Sequence, residues 1–292
     1  MKTILLITFL SMAGWLSGLA APLTESTFTE IINEVNTLSA DGNASPARMA
    51  EILRSPERVR TGPQSRAELT APDQTITRVG ANTVFAYADN GRTLNLEQGN
   101  VLFHAPKGLG GGTIKSGGAA AAVLGTTLIV SATAGGGFKV ILLEGRGRVT
   151  LPNGNAATLT AGQLVFVLPG GALSPVLNIN LGKLVDSSLL VKGFSHGLSS
   201  LPLIVHAIQQ QDSQLKSGTA LDTGLSPGNY LNPPTPGNGF NSLTPGNYQI
   251  AVPQPLSPNQ YNRAVSDTVG TQPGAPAGTG GRGIVITTGQ VG

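Results

Sequence analysis

From residue 59 to residue 170 the chain is cut, about every eight to twelve residues, by polar turns carrying Gly, Asn, Asp or Pro. The pieces between are short runs rich in Val, Ile, Leu, Thr, Phe and Tyr. Such spacing specifies an all-β fold: many short, mainly antiparallel strands in a two-sheet sandwich or a solenoid-like module. Asp89-Asn90-Gly91 is its strongest hairpin signal, because Asn and Gly tolerate the positive φ that tight turns demand.

Each run carries its own prediction. Ala67, Leu69 and Ala71 alternate with Arg66, Glu68 and Thr70, giving one buried and one wet face. Strands are expected over 76–79 and 82–87, then at Leu94, Leu96, Val101 and Phe103 on either side of Gln98-Gly99. Residues 119–130 are almost wholly apolar apart from Thr126-Thr127, and read as a central strand covered on both sides. Further strands follow over 138–143, at Val149 and Leu151, and over 158–160 and 164–168, and Pro169-Gly170-Gly171 closes the module. The total is roughly ten to twelve strands.

Upstream, residues 24–38 support two readings. Phe28, Ile31, Ile32, Val35 and Leu38 fall near helical spacing, with Thr27 and Glu30 placed as a capping box. Thr29, Ile31, Asn33, Val35 and Thr37 equally alternate as a strand, four of the five being β-branched. Residues 39–46 read as a polar loop and 47–53 as a short connector. Asn43-Ala44-Ser45 is a glycosylation sequon only in a host that makes such glycans.

The ends are different in kind. Lys2 is the only charge before Glu25, an apolar run covers 4–16, and Gly18-Leu19-Ala20-Ala21 offers small residues for signal-peptidase cleavage near Ala20. The expectation is a signal peptide over 1–20 and a periplasmic or secreted protein with no stable membrane span after cleavage. Thr8, Ser11, Gly14 and Ser17 interrupt the run and argue against an uncleaved anchor. Residues 171–216 turn Leu-rich, with one helix expected over 202–216, Pro202 in its first turn. Residues 217–292 hold 24 Gly or Pro and four charges, the composition of a disordered tail. There Pro-Gly-Asn recurs at Pro227, Pro236 and Pro245, twice followed by Tyr, and 283–287 is the one strand-like piece.

Composition excludes several function classes. With 18 Lys and Arg against 15 Asp and Glu, and no basic run interleaved with aromatics, no nucleic-acid partner is expected. Zero cysteines remove disulfides and Cys-based metal sites. Gly193-Phe194-Ser195-His196-Gly197 has the form of a serine-hydrolase nucleophile elbow, which requires an acid and then a histidine downstream. His206 instead precedes Asp212 and every later acid. The glycine-rich stretch 108–115 ends in Lys115-Ser116 but has Ile114 where a P-loop needs Gly. His104, His196 and His206 are too few and too scattered for a zinc site. Glu68, Asp73, Asp89, Glu97 and Glu144, mostly at turns, read as solvated or turn-capping groups rather than a catalytic pair. No catalytic, cofactor-binding or metal-binding residue is assigned, and no cofactor.

An ordered series of short motifs resembles the FecR domain family of bacterial periplasmic proteins. It runs through Arg60-Thr61-Gly62-Pro63, Ser65 to Leu69, Ile76-Thr77-Arg78-Val79-Gly80 with Asn82-Thr83, and 94–99 with Val101-Leu102-Phe103. It continues with Gly125-Thr126-Thr127, Leu143-Glu144-Gly145 and Ala161-Gly162-Gln163. The resemblance covers 59–170 and implies a FecR-like all-β domain over 24–170, beginning with a strand, which favours strand over helix for 30–38. It further implies a non-enzymatic module relaying receptor contact toward a sigma factor. Two departures stand out: no cytoplasmic sigma-binding segment is expected ahead of the apolar run, and Leu124 stands where the family often has Arg. The reading is therefore an exported, non-catalytic module mediating protein or ligand interaction in the bacterial envelope, its partner an unidentified envelope protein or cell-surface polymer. The alternatives are a structural or matrix component of the envelope and, least favoured, a secreted serine hydrolase.

Overall fold

The computed structural model describes residues 21–89, 91–168 and 171–217. The expected signal peptide, Asn90, Pro169, Gly170 and the tail from 218 onward, with its Pro-Gly-Asn repeats and the 283–287 piece, lie outside the described residues. The first strands are β1 (Glu25–Ile32), β2 (Val35–Leu38), β3 (Ala44–Pro46), β4 (Ile52–Arg54), β5 (Arg58–Thr61) and β6 (Arg66–Thr70). There follow β7 (Ile76–Val79), β8 (Val84–Tyr87), β9 (Thr93–Ala105), β10 (Gly112–Ser116), β11 (Ala119–Val123) and β12 (Thr126–Ala132). The series ends with β13 (Phe138–Glu144), β14 (Arg146–Thr150), β15 (Ala156–Thr160), β16 (Gln163–Leu168), β17 (Ala172–Leu173) and β18 (Leu177–Asn178), then helices α1 (Leu181–Ser187), α2 (Leu189–Lys192) and α3 (Leu201–Lys216). Twelve strands, β5 to β16, fall in the stretch where ten to twelve are expected.

Hydrogen bonding sorts the strands into two sheets. Sheet A runs β4-β1-β6-β7-β9-β12-β13-β16, with β17 and β18 on its last edge. Sheet B runs β3-β2-β5-β8-β9-β10-β11-β14-β15. Among the described residues only β9–β10 is parallel; the other strand pairs are antiparallel. Neither sheet closes on itself, which matches the expected sandwich rather than a barrel.

β9 belongs to both sheets. Its first half pairs with β8 and β10, and its second half with β7 and β12. The switch falls at Gly99, where φ is +94° and a Cβ would lie 2.2 Å from Thr83 Oγ1. Only glycine allows that backbone and that approach together.

Burial follows the pleat. Inward residues of both sheets, among them Phe28, Leu69, Val79, Phe103, Leu128 and Val140 from A and Val59, Phe85, Leu94, Ile114 and Val149 from B, form one core between the sheets. The outward residues of sheet A, Leu102, Ile129, Ile141, Leu143 and Leu164, form a second core with Leu184, Val185, Leu190, Val191 and Ile204 of the helices. The molecule thus has three layers: sheet B, sheet A and a helical cover. Gln211 of α3, buried, ties the cover together by accepting from Leu181 N (2.9 Å) and donating to the Ile179 carbonyl (2.7 Å). None of the described helices is long and apolar enough to cross a membrane.

Several expectations are corrected. The segment 24–38 is two strands, as the family resemblance favours. β1 pairs with β4 and β6, and these tertiary ladders outweigh the local helical spacing. Asn33, at φ +60°, carries the chain from sheet A to sheet B. The loop over 39–46 and the connector over 47–53 contain the edge strands β3 and β4. Residues 119–130 are two strands, not one. Gly125, at φ +62° and with space for no Cβ beside Lys107, turns the chain from sheet B into sheet A. Only β12 is covered on both faces, whereas β11 has one face open. Strand pairing also continues past Gly171 into β17 and β18, and three helices stand where one is expected.

Candidate functional site

Covering the central strands of sheet A with helices buries charged side chains, which then need partners. Arg78 and Glu68 face each other across β6 and β7, fully and almost fully buried, with Nε to Oε2 at 2.8 Å. Arg78 also donates to the carbonyls of Leu190 (3.2 Å), Val191 (2.9 Å) and His196, while the Phe194 ring lies 4.4 Å from its guanidinium carbon. Arg66 donates to the Gly193 carbonyl at 3.2 Å. Glu68 accepts from Thr29 Oγ1 at 2.8 Å. Charges and helix-end carbonyls satisfy one another here, so the alternation that made Glu68 read as a wet residue marks instead the seat of α2 and the loop after it.

That loop contains Ser195. Its Oγ lies 2.7 Å from Glu30 Oε2 and 2.9 Å from His196 Nδ1, and its N–H donates to both Glu30 oxygens at 3.0 Å. The three residues meet, yet not as a relay. The carboxylate binds the serine instead of orienting the far side of the imidazole, and its nearest approach to His196 is 3.9 Å at the same Nδ1. The Ser195 amide is spent on Glu30, and the His196 side chain is 80% exposed. The cluster pins the loop to β1.

A second buried network lies beneath the start of α3. Thr127 Oγ1 is 2.9 Å from His104 Nδ1, 2.9 Å from Glu144 Oε1 and 2.7 Å from Ser200 Oγ. Burial pushes the Glu144 carboxyl up from its ordinary range, with the Thr127 hydrogen bond and Lys107 pulling the other way. Burial likewise pushes His104 down. Both shifts favour the neutral forms. The sequence marked His104 and Glu144 separately, and no local pattern joined them to Thr127 and Ser200.

The remaining sequence candidates disperse. Asp73 pairs with Arg92 at 2.7 Å and accepts from Thr75 N, Asp89 accepts from Ser55, and Glu97 pairs with Arg58 at 3.3 Å. His206 sits exposed on α3, apart from His104. Among the described residues no group of three or more metal-ligating side chains gathers. The 108–115 stretch enters strand β10, not a helix.

What sheet A hides, sheet B displays. Its outer face carries Arg60 on β5, Lys115 on β10 and Arg146 and Arg148 on β14, all exposed and none with a side-chain partner among the described residues. An open groove of about 620 Å³ lies on this side, lined by Asn95, Glu97, Lys115, Ala120, Thr133 and Pro152. The face offers hydrogen-bonding groups and excess positive charge, and among its lining residues no nucleophile paired with a base.

Residues 57–147 match the family described as FecR protein, in agreement with the resemblance carried by the motifs between Arg60 and Gly145. The match ends at the start of β14, so the last strands of the sandwich and the helical cover lie beyond it. Two crystal structures of a candidate anti-sigma factor from Parabacteroides distasonis are similar at 20% identity, with TM-scores of 0.38 and 0.37. Each alignment covers 41% of this chain and 59% of the solved chain, so the chain spans about three-fifths of the length of the proteins it resembles. Comparison with curated proteins gives no match.

Proposed function

We propose that this FecR-type sandwich is an exported, non-catalytic module of the bacterial envelope that holds a partner on the outer face of sheet B. The observation that carries the reading is the asymmetry of the two sheets. Helices cover the outer face of A over its central strands, where Arg78 and Glu68 are consumed internally, while the outer face of B keeps Arg60, Lys115, Arg146 and Arg148 free beside an open groove. Unpaired cations on a rigid sheet suit an acidic partner, an envelope protein or an anionic surface polymer. The FecR match supports a part in signalling, and the engagement of Ser195 by Glu30 supports a role without chemistry.

Affinity capture from detergent-solubilised envelope, with wild type and Lys115→Glu side by side, tests it. One stoichiometric partner, lost with Lys115→Glu, is the expected result. Recovery only in insoluble wall material would replace this reading with a structural one. Ester turnover that vanished in Ser195→Ala would overturn the absence of catalysis.

A further inference from the structure

Three turns in which the chain passes between the sheets come together at one seam. They are residues 106–111 between β9 and β10, 124–125 between β11 and β12, and 145 between β13 and β14. Their contact is close: a Cβ on Gly111 would sit 2.0 Å from the Val123 carbonyl oxygen and 2.9 Å from Leu124 Cα. One on Gly125 would sit 2.7 Å from Lys107 Cγ, and one on Gly145 would sit 3.1 Å from the Gly125 carbonyl oxygen. Thr126 Oγ1 donates to the Arg146 carbonyl at 3.0 Å, fixing the third turn beside the second.

Large apolar side chains stand out of this seam. Leu124 is 71% exposed, the most exposed large hydrophobic among the described residues, and Leu109 on the adjoining turn is 43% exposed. Exposed Lys107 and Arg146 flank them, and Arg148 follows two residues on along the same face of β14. No acidic residue occurs in 106–111, 123–126 or 145–148. Glu144, whose charge Lys107 would feel, is buried beneath. Scattered single leucines on a surface need no explanation, whereas two on touching turns with a cationic border form an amphipathic tip. A rigid tip that can push apolar side chains below a plane of phosphates, with cations left at the level of those phosphates, matches the interface of an anionic bilayer.

We propose that this seam docks the protein on an anionic lipid surface, Leu109 and Leu124 entering the headgroup layer and Lys107, Arg146 and Arg148 engaging lipid phosphates. The contact is peripheral and reversible, and it draws on Arg146 and Arg148 of the same outer face while Lys115 of the groove takes no part in it.

Co-sedimentation of the full chain, after removal of the leader, with vesicles of phosphatidylglycerol and phosphatidylcholine or of phosphatidylcholine alone provides the test. Binding is expected only with phosphatidylglycerol, and it should fall as salt rises from about 0.05 M to about 0.5 M. Each charge reversal at Arg146 or Arg148 should weaken binding by about fivefold or more. Leu109→Ser with Leu124→Ser should weaken it by about tenfold or more. Arg60→Glu, the same charge change on distant β5, should alter binding less than about twofold, and near-identical thermal melts would establish that the variants are folded. Absence of binding to phosphatidylglycerol vesicles would overturn the proposal. So would equal loss with Arg60→Glu, indifference to the leucine substitutions, or capture of a soluble protein through the leucines without vesicle binding.

Discussion

The outer faces of the two sheets obey the same pleat and meet opposite fates. On the central strands of sheet A the outward residues turn toward α1, α2 and α3, and a charge buried there needs partners. Arg78 accordingly reaches Glu68 and three carbonyls, and Thr127 reaches His104, Glu144 and Ser200. On sheet B the residues in equivalent outward positions face water, and Arg60, Lys115, Arg146 and Arg148 go unmatched. Arg78 on A is therefore a structural member, whereas Arg60, Arg146 and Arg148 on B are held out for something else, although Arg58 beside Arg60 pairs with Glu97.

The sharpest way to break this contrast is to remove one arginine from each face. Arg78→Ala leaves the Glu68 carboxylate buried and three carbonyls without a donor, so chemical denaturation should show a loss of about 3–5 kcal/mol. Hydrogen exchange should meanwhile show α2 and the Ser195 loop opening first. If Arg78→Ala cost no more than a surface substitution, the helical cover would not be anchored as described.

Thr127→Val tests the second network with almost no change of shape. It removes the hydroxyl that His104, Glu144 and Ser200 share, and a loss of about 1–3 kcal/mol is expected by the same measurement.

A pH series sharpens the comparison further. The Glu144 carboxyl is raised from its ordinary value of 4.5, so the folded state binds that proton more tightly than the unfolded chain does. Its contribution to stability is complete below 4.5 and is lost as pH rises through the folded-state value. Glu144→Gln abolishes this loss, so the melting temperature of the variant should gain on wild type as pH rises. His104 is lowered from 6.5, and its contribution, complete above 6.5, fades as pH falls toward the folded-state value. Parallel melting curves for Glu144→Gln and wild type across the series would contradict a buried, proton-holding carboxyl.

The smallest effect belongs to sheet B. Arg148→Ala should change stability by less than about 0.5 kcal/mol in the same denaturation assay. A larger loss would mean that sheet B, too, consumes its charges internally.

Much of the sandwich was legible because its signals are local. A turn needs particular residues at particular places, and the spacing of turns from residue 59 onward fixes how long each strand can be. Gly99 and Gly125 were visible as glycines but not as the joints where the chain changes sheet, since that depends on which strand lies alongside. The helical spacing of Phe28, Ile31, Ile32 and Val35 misleads for the same reason: its local preference is outweighed by ladders to β4 and β6. Ser195 shows the limit for chemistry. The Gly-x-Ser-x-Gly pattern was readable, while the carboxylate that ties the serine down comes from residue 30.

By itself the sequence determined that strands would form, roughly where each begins and ends, and which side chains share a face, because alternation and turn chemistry act over a few residues. Only the tertiary structure decided which face of which sheet would be dry. That outcome depends on helices encoded more than a hundred residues after Glu68 and Arg78, and no periodicity within a strand can register a cover that arrives from so far along the chain.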